Sequence, residues 1–254
     1  MKYIALVTGA SSGMGREFVR QIAAGYPSLN EIWVLARRLP ALQELKEELP
    51  LKRLKLLPLD LSKKEDLEEL EDTLKKERPL IRLLVNSAGC GRGGVIADQS
   101  WKDACQMLDV NCRALTAVTM ICLPYLRKGS RILQMDSGSA FLPQPGFAIY
   151  AASKSYVLSF DQALGAELKD KGITVTSICP GPVDTEFFHT GGITLSPWKR
   201  MFLAKPEKVV RKALFDGEAG KSLSIYGCSI KIVHVLGKLL PHKILVNLMA
   251  KLFL

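Results

Sequence analysis

Metal-binding and disulfide patterns are missing from this sequence. It has three histidines, and its six cysteines never occur as a Cys-x-x-Cys pair. A zinc site needs cysteines or histidines clustered at short spacings, so the sequence predicts no metal site. The scattered cysteines favour small core residues in a reducing compartment. They are Cys90, Cys105, Cys112, Cys122, Cys179 and Cys228.

A long apolar run is also missing from the start of the chain. The first one, Ile4 to Val7, ends at Thr8 and Gly9. A signal peptide needs an apolar core of about 7–15 residues. We therefore expect a cytoplasmic protein.

A nucleic-acid signature is absent, although the formal net charge is +10. Much of the positive charge alternates with acid, as at 63–66 and 75–77, which is typical of solvated helix faces. No stretch interleaves basic and aromatic residues as a nucleic-acid-binding motif does. The sequence predicts no nucleic-acid partner, and the charge leaves an anionic cofactor or an anionic membrane surface open.

What the sequence does contain is an alternation of short apolar strands and amphipathic helices. This order predicts an α/β fold: a doubly wound, mostly parallel sheet flanked by helices, in one domain. A capping-box pattern, Ser62 to Glu65, predicts the start of a charged helix. One long helix is predicted from Trp101 to about Arg127, with a buried face of Met107, Leu108, Leu115, Val118, Ile121 and Cys122. The predicted strands are 2–7, 31–36, 53–59, 81–85, 131–136, 173–178 and 222–226.

The first predicted strand runs into a glycine-rich turn, Thr8-Gly-Ala-Ser-Ser-Gly-Met-Gly15, and then into a helix. Glycines let the backbone turn sharply and approach a pyrophosphate, whose charge a helix N-terminus stabilises. The pattern therefore predicts a dinucleotide site. A tight structural turn without a ligand is the alternative.

The second predicted strand ends at Ala36 and is followed by Arg37 and Arg38. An acid at this place would bind a ribose 2′-hydroxyl, whereas an arginine accommodates a 2′-phosphate. The arginines favour NADP(H) over NAD(H). The alternative is that both are solvated loop cations.

A hydroxyl, a phenol and an amine follow the fifth predicted strand. Tyr150 and Lys154 are four residues apart in a helical stretch, so they share a face. An ammonium so close is expected to lower the pKa of the phenol and make Tyr150 an acid or base. Alternatively, Tyr150 is a half-buried aromatic residue and Lys154 a solvated one.

These motifs together resemble the short-chain dehydrogenase/reductase family, over about residues 3 to 185. The family's active-site serine lies thirteen residues before the tyrosine, and position 137 is Ser. The variant glycine spacing after Thr8 and the turns at 86–89 and 180–185 also match. Two positions depart from the family pattern: Ser87 replaces a second Asn, and Asp136 stands where a second Ser is common.

The resemblance implies a Rossmann-type fold and reversible hydride transfer between a nicotinamide and a carbonyl or secondary alcohol. Tyr150 would be the acid, Ser137 would stabilise the carbonyl oxygen, and Lys154 would bind the ribose. Asn111 would hold a water that links the lysine to solvent. The implied cofactor-binding residues are Thr8, Gly9, Ser11, Ser12, Gly13, Met14, Gly15, Arg37, Arg38, Asp60, Leu61, Asn86, Ala88, Gly89, Tyr150, Lys154, Pro180, Gly181, Val183 and Thr185.

The region after Thr185 is expected to select the substrate. Residues 186–221 would form a lid rich in bulky apolar groups, which indicates either a lipophilic substrate or simple packing. Similarity to the hydroxysteroid dehydrogenase branch suggests a steroid or bile acid. A 3-oxoacyl or other lipid-type ketone, and a non-catalytic dinucleotide sensor, remain alternatives. The lid's apolar residues are Phe187, Phe188, Ile193, Leu195, Trp198, Met201 and Phe202.

Residues 227–254 are predicted to form a C-terminal tail of two amphipathic helices after a catalytic domain of residues 1–226. Neither reaches the roughly twenty uninterrupted apolar residues of a membrane span. The tail would pack on the cleft, bury against a second subunit of a dimer or tetramer, or rest on an anionic membrane. His234 and His242 are expected on the helix surface.

Overall fold

A seven-stranded parallel sheet forms the centre of the protein, in a computed structural model that describes residues 2–49, 53–192 and 203–253. The elements are β1 (Tyr3–Thr8), α1 (Gly13–Gly25), β2 (Glu31–Leu35), α2 (Leu39–Glu48), β3 (Leu54–Leu57), α3 (Lys64–Glu77), β4 (Leu80–Asn86), α4 (Trp101–Leu108), a π-helical turn (Asp109–Ala114), α5 (Leu115–Cys122), β5 (Arg131–Met135), α6 (Ala148–Leu168), β6 (Thr174–Pro180), α7 (Phe187–Thr190), α8 (Pro206–Glu218), β7 (Leu223–Tyr226), α9 (Cys228–Leu239) and α10 (His242–Phe253).

The strand order is β3-β2-β1-β4-β5-β6-β7. The chain winds outward from β1 through β2 and β3, then returns to place β4 on the other side of β1. In such a doubly wound sheet, a crevice opens at the carboxyl ends of the two central strands. The predicted fold class is confirmed.

The central strands β1 and β4 are buried on both faces along most of their length, whereas the edge strands β3 and β7 are only partly buried. In β1 the side chains of Ala5 and Val7 enter one core layer, under α1, α2 and α8. The alternate residues Ile4 and Leu6 enter the other layer, under α3, α5 and α6. The period of two therefore divides the apolar residues of one strand between two helix layers.

The long helix predicted from Trp101 contains a π-helical turn at Asp109–Ala114. The wider turn changes which side chains face the sheet. Met107 is buried, whereas Leu108, predicted in the buried face, is 43% exposed. By length and composition the segment Trp101–Tyr125 could cross a membrane, but α5 packs on β4 and α3, and α4 packs on α6.

The predicted capping box at Ser62 is wrong. The helix α3 begins at Lys64, and its N-cap residue, Lys63, makes no capping side-chain bond. The Ser62 hydroxyl instead donates to Asp60 Oδ1 at 2.7 Å. The Ser62 hydroxyl is therefore bonded to Asp60 and does not cap the helix.

The first C-terminal helix, α9, lies next to the loop that follows β5. In α9, the Ile230 side chain contacts Gly138 and Gly181, and Gly237 lies against the carbonyl of Phe141. The His234 ring is 4.4 Å from the Phe141 ring, so this histidine, which we expected on the helix surface, is half-buried against that loop. The tail helices are where the sequence predicts them, and the division into domain and tail stays a prediction.

Candidate active site

The glycine turn lies at the carboxyl end of β1, against the loop after β4. Gly9 has a positive φ of 68°, and a Cβ there would lie 2.8 Å from Ala88 Cα. The Thr8 hydroxyl accepts hydrogen bonds from the backbone N–H groups of Ser87 and Ala88, both at 3.0 Å. The two loops therefore pack so closely at the ends of the central strands that position 9 has no room for a side chain.

The N-terminus of α1 faces this crevice without a side-chain cap. Its N-cap residue, Ser12, forms no capping hydrogen bond. The first N–H groups of a helix lack intrahelical acceptors, and they stabilise an anion placed before them. Gly13 lies within van der Waals reach of Thr185, so the loop after β6 closes the other side of the turn. Ser11, Met14 and Gly15 belong to the same turn.

Two exposed arginines follow β2. Arg38 donates to the Ser11 hydroxyl at 3.4 Å and forms an ion pair with Glu186 at 3.6 Å. Arg37 forms no ion pair with any residue that the structure describes. The Arg38 guanidinium thus lies beside the glycine turn, and Arg37 directly precedes it in the chain.

Asp60 lies in the loop after β3, near Arg37. Burial acts to raise the pKa of its carboxyl. The hydrogen bonds from Ser62 and the charges of Arg37 and Lys63 outweigh burial and hold that pKa below its ordinary value. Asp60 is therefore an ionised acceptor at neutral pH.

The loop after β4 has buried side chains and a backbone that lines the crevice. The Asn86 side chain is buried and donates to the Thr119 hydroxyl at 3.0 Å, so it supports the turn from below. Leu61 is also buried. The backbone of Ala88 and Gly89 remains at the crevice.

The loop after β6 carries the remaining predicted cofactor contacts. Pro180 ends β6 and is buried, and Val183 is buried where it pairs with Ala204. Gly181 lies under Ile230. Of this group, Thr185 is the side chain brought to the glycine turn.

Ser137, Tyr150 and Lys154 are brought together between β5 and α6. Lys154 Nζ lies 5.7 Å from the centre of the Tyr150 ring and donates to the carbonyl of Met135 at 2.7 Å. Ser137 begins a short 3-10 turn, and its hydroxyl accepts from Ser139 N at 3.1 Å. The same hydroxyl interacts with the Tyr150 phenol.

The expected lowering of the Tyr150 pKa is wrong for this arrangement. Burial raises that pKa above its ordinary value, and the hydrogen bond with Ser137 opposes burial without overcoming it. The Lys154 ammonium donates its hydrogen bond to the Met135 carbonyl and not to the phenol oxygen. The phenol therefore stays protonated at neutral pH, which is the form that donates a proton.

Asn111 projects from the π-helical turn and is fully buried. Its Oδ1 accepts from Cys90 N at 2.9 Å, and its Nδ2 donates to Cys90 O at 2.8 Å and Ser153 Oγ at 3.1 Å. A Cβ on Gly89 would lie 3.3 Å from Asn111 Oδ1 and 3.8 Å from Lys154 Nζ. The side chains of Asn111 and Lys154 thus both lie next to Gly89. The water-holding role stays a prediction.

Aromatic rings surround the phenol. The Phe147 ring lies 4.4 Å and the Phe187 ring 5.4 Å from the Tyr150 ring, and Phe188 contacts Phe187 at 5.5 Å. Of the predicted lid, Ile193, Leu195, Trp198, Met201 and Phe202 lie outside the described residues, and α8 packs on the sheet.

Sequence reasoning missed Phe147 and Ile230. The spacing of three between Phe147 and Tyr150 was a usable signal, because residues three apart meet on a helix. Ile230 reaches the site through tertiary packing, for which the sequence carries no local signal.

Comparison with known proteins agrees with this geometry. A family model described as short chain dehydrogenase matches residues 3–192. Sulfoacetaldehyde reductase 2 of Chromohalobacter salexigens is 34% identical over 200 residues, covering 76% of this chain and 78% of that protein. The 11-beta-hydroxysteroid dehydrogenase-like 3 of Arabidopsis thaliana is 32% identical over 185 residues, covering 72% of this chain and 60% of that protein.

Solved structures share the fold over nearly the whole chain. The short-chain dehydrogenase from Sphingobium yanoikuyae in complex with NADPH has a TM-score of 0.78 and 25% identity, covering 94% of this chain and 93% of that one. Other structures of this fold contain NAD or NADP, so the fold does not select between them. This chain belongs to the short-chain dehydrogenase family of oxidoreductases, which bind a nicotinamide dinucleotide.

Proposed function

We propose that the protein is an NADP(H)-dependent oxidoreductase that interconverts a ketone and a secondary alcohol on a lipophilic substrate, with a hydroxysteroid or bile acid as the first candidate. One observation carries the reaction type: a buried, protonated phenol, Tyr150, lies beside the Ser137 hydroxyl and the Lys154 ammonium. Catalysis by this set needs no metal ligand.

The chain's own residues handle the oxygen and the proton. When bound, the reduced nicotinamide supplies a hydride to the carbonyl carbon. Tyr150 donates its phenolic proton to the carbonyl oxygen, and Ser137 donates a hydrogen bond to the same oxygen. One such preorganised donor is worth about 3 kcal/mol in the transition state. Lys154 binds the ribose, and proton return through the Asn111 region completes the cycle.

The preference for NADP(H) rests on the end of β2. Arg37 is exposed there without an ion-pair partner among the described residues, and Asp60 is the nearby acid. A 2′-phosphate would supply the missing anion. Arg38 is already engaged with Ser11 and Glu186, which favours Arg37 as the main contact.

The lipophilic substrate is supported by the surroundings of Tyr150. Phe147 and Phe187 contact its ring, and Ile230 covers the turn that begins at Ser137. A 3-oxoacyl or other lipid-type ketone is the second candidate for the same surroundings. A short anionic aldehyde, such as the substrate that the bacterial relative is named for, would instead meet aromatic rings beside the phenol, where Lys154 is buried.

The test follows NADPH absorbance with ketosteroids, 3-oxoacyl thioesters and sulfoacetaldehyde. We expect kcat/KM to be highest for a bulky apolar ketone. Fastest turnover of sulfoacetaldehyde would overturn the lipophilic assignment. No turnover of any carbonyl, with NADPH still bound, would favour the non-catalytic sensor.

We also propose that the cytoplasmic protein contacts an anionic lipid surface through α9 and α10. The face of α9 away from Phe141 exposes Ile232 at 59% and Leu239 at 73%, and α10 exposes Ile244 at 53%. Residues 227–254 include no aspartate or glutamate. A symmetric second copy on this face would oppose like charges, so we place any homo-oligomer contact elsewhere. The surrounding cations are Lys231, Lys238, Lys243 and Lys251.

Flotation with vesicles tests this contact. The full-length protein should float with phosphatidylserine-containing vesicles and not with phosphatidylcholine alone, and L239D should abolish flotation. The matched control is M120D, because Met120 is 61% exposed on a different helix, α5. No flotation of the wild type, or a dimer in sedimentation that L239D splits, would overturn the lipid assignment.

A further inference from the structure

Two buried carboxyl groups lie behind Lys154. Asp136 directly follows Met135, the residue whose carbonyl accepts from the Lys154 ammonium. Asp161 is seven residues after Lys154 on α6, so it lies on the same helix face two turns along. Asp136 and Asp161 are each 2% exposed, and Lys154 is 4% exposed.

The carboxyl groups have few hydrogen-bond donors. Asp161 Oδ2 accepts from the Ser177 hydroxyl at 2.8 Å, and Asp136 Oδ2 receives a weak bond from Cys179 Sγ at 3.7 Å. The Ser137 N–H also acts on Asp136 and the Gln134 amide on Asp161, but neither outweighs burial. Asp136 Oδ1 and Asp161 Oδ1 have no hydrogen-bond partner of normal geometry in the described structure. Buried carboxylates are normally hydrogen-bonded, because water no longer solvates them. Two full negative charges are not stabilised here.

One positive charge is available to this pair. Lys154 is the only buried lysine or arginine among residues 2–49, 53–192 and 203–253. The other titratable groups near it are the Tyr150 phenol and three thiols, and burial raises the pKa of each, so they stay neutral. One ammonium balances one carboxylate. The thiols are Cys90, Cys112 and Cys179.

The direction of each pKa shift agrees with one ammonium balancing one carboxylate. Burial raises the pKa of Asp136 well above its ordinary value and that of Asp161 to about 7. Burial also lowers the pKa of Lys154, and the charges of the two carboxyl groups oppose that lowering. The ammonium therefore depends on a buried anion.

We propose that Asp136 and Asp161 share a single proton and together provide the one negative charge that keeps Lys154 an ammonium during turnover. They are positioning residues, since they act through Lys154 and are not placed against substrate or cofactor. The inference rests on the proposed role of Lys154 in binding the nicotinamide ribose. A serine at position 136, common in the family, would supply no such charge.

The experiment compares D136N, D161N and the double variant D136N/D161N. Each single variant leaves one carboxyl, which is then fully ionised, so Lys154 keeps its counter-charge. The double variant leaves Lys154 buried without an anion. We measure the NADPH dissociation constant of the double variant by fluorescence as a function of pH. On the alkaline side, its binding of NADPH should begin to weaken at a pH at least about one unit lower than that of the wild type. The pH at which kcat/KM of the double variant falls on the alkaline side should be lowered by the same amount. In each single variant both of these shifts should be less than half as large.

Asp216 offers a matched control. It is a buried aspartate, 1% exposed, that Lys212, Lys221 and Ser224 already satisfy. D216N should leave the alkaline pH dependence of NADPH binding and of kcat/KM unchanged. Should the asparagine double variant not fold, D136S/D161S, with smaller side chains, replaces it.

Two results would overturn the inference. One is a double variant with an unshifted alkaline limb. The other is D136N alone shifting as far as the double variant, which would make Asp136 the sole counter-ion. Because NADPH binding is read without a substrate, the inference can fail while turnover persists, and it can hold even where no carbonyl substrate is turned over.

Discussion

Tyr150 differs from the other tyrosine of α6 in its surroundings, and this difference permits a direct test. Y150F removes the proton donor and keeps the ring between Phe147 and Phe187. We expect turnover to fall by about 10²-fold or more, with NADPH affinity nearly unchanged. Tyr156, 44% exposed and bonded to the Thr116 hydroxyl, is the control, and Y156F should keep full activity. Comparable rates for Y150F and wild type would remove Tyr150 as the acid.

Arg37 is the residue on which the cofactor preference depends. R37A should weaken NADPH on the order of tenfold to a hundredfold, because charge-assisted hydrogen bonds to the 2′-phosphate are lost. NADH binding should change little. Titration of both dinucleotides measures the difference, with R82A as a control, since Arg82 is an exposed arginine of β4. Equal losses for the two dinucleotides would contradict the assignment.

At the scale of elements, α9 contacts the turn that begins at Ser137. A Cβ on Gly237 would lie 2.7 Å from the Phe141 carbonyl oxygen. G237A should therefore push α9 from the turn and lower kcat/KM, despite a helix propensity that favours alanine by up to about 1 kcal/mol. Thermal unfolding and kinetics together measure the effect.

Gly25 in α1 is the matched glycine, because a Cβ there meets no atom within 4 Å. G25A should leave kcat/KM unchanged and keep or raise the unfolding temperature. If G237A behaves as G25A does, the contact between α9 and the turn has no consequence for activity.

The strands and helices were largely predictable, and the exceptions have physical causes. Strands β1 to β7 are short apolar runs, so their places follow from pattern, with ends shifted by one or two residues. The π-helical turn that carries Asn111 was not predictable, because local propensity does not distinguish it from an α-helix. The capping box failed because Asp60 competes for Ser62.

The site was predictable as a set of residues and less so as an electrostatic arrangement. Motif spacing places Ser137, Tyr150 and Lys154 together, as the structure does. The direction of the Tyr150 pKa depends first on burial, which tertiary packing determines. Asp161 carries no recognisable sequence signal, since its burial beside Lys154 depends on the packing of α6 on β6.

At the scale of the whole molecule, Asp161 makes stability depend on pH. Burial raises its pKa from 3.8 to about 7, so the folded state favours the protonated carboxyl. Its stabilising contribution is complete below about pH 4 and is lost as pH rises through about 7. The loss is at most about 4 kcal/mol at 1.36 kcal/mol for each pKa unit.

D161N should therefore flatten this decline and be more stable than the wild type at pH 8. Its amide oxygen can still accept from Ser177. Urea unfolding at pH 5, 6.5 and 8 measures the slope, and a D161N curve parallel to that of the wild type would contradict the raised pKa.

The position of β1 in the middle of the sheet has a consequence for biosynthesis. Its register pairs Tyr3 with Leu80 and Thr8 with Asn86. During translation the strand made first must wait, with one hydrogen-bonding edge open, until residues 80–86 leave the ribosome. Unpaired strand edges are aggregation-prone, so the nascent chain passes through a vulnerable interval before its central pairing can close.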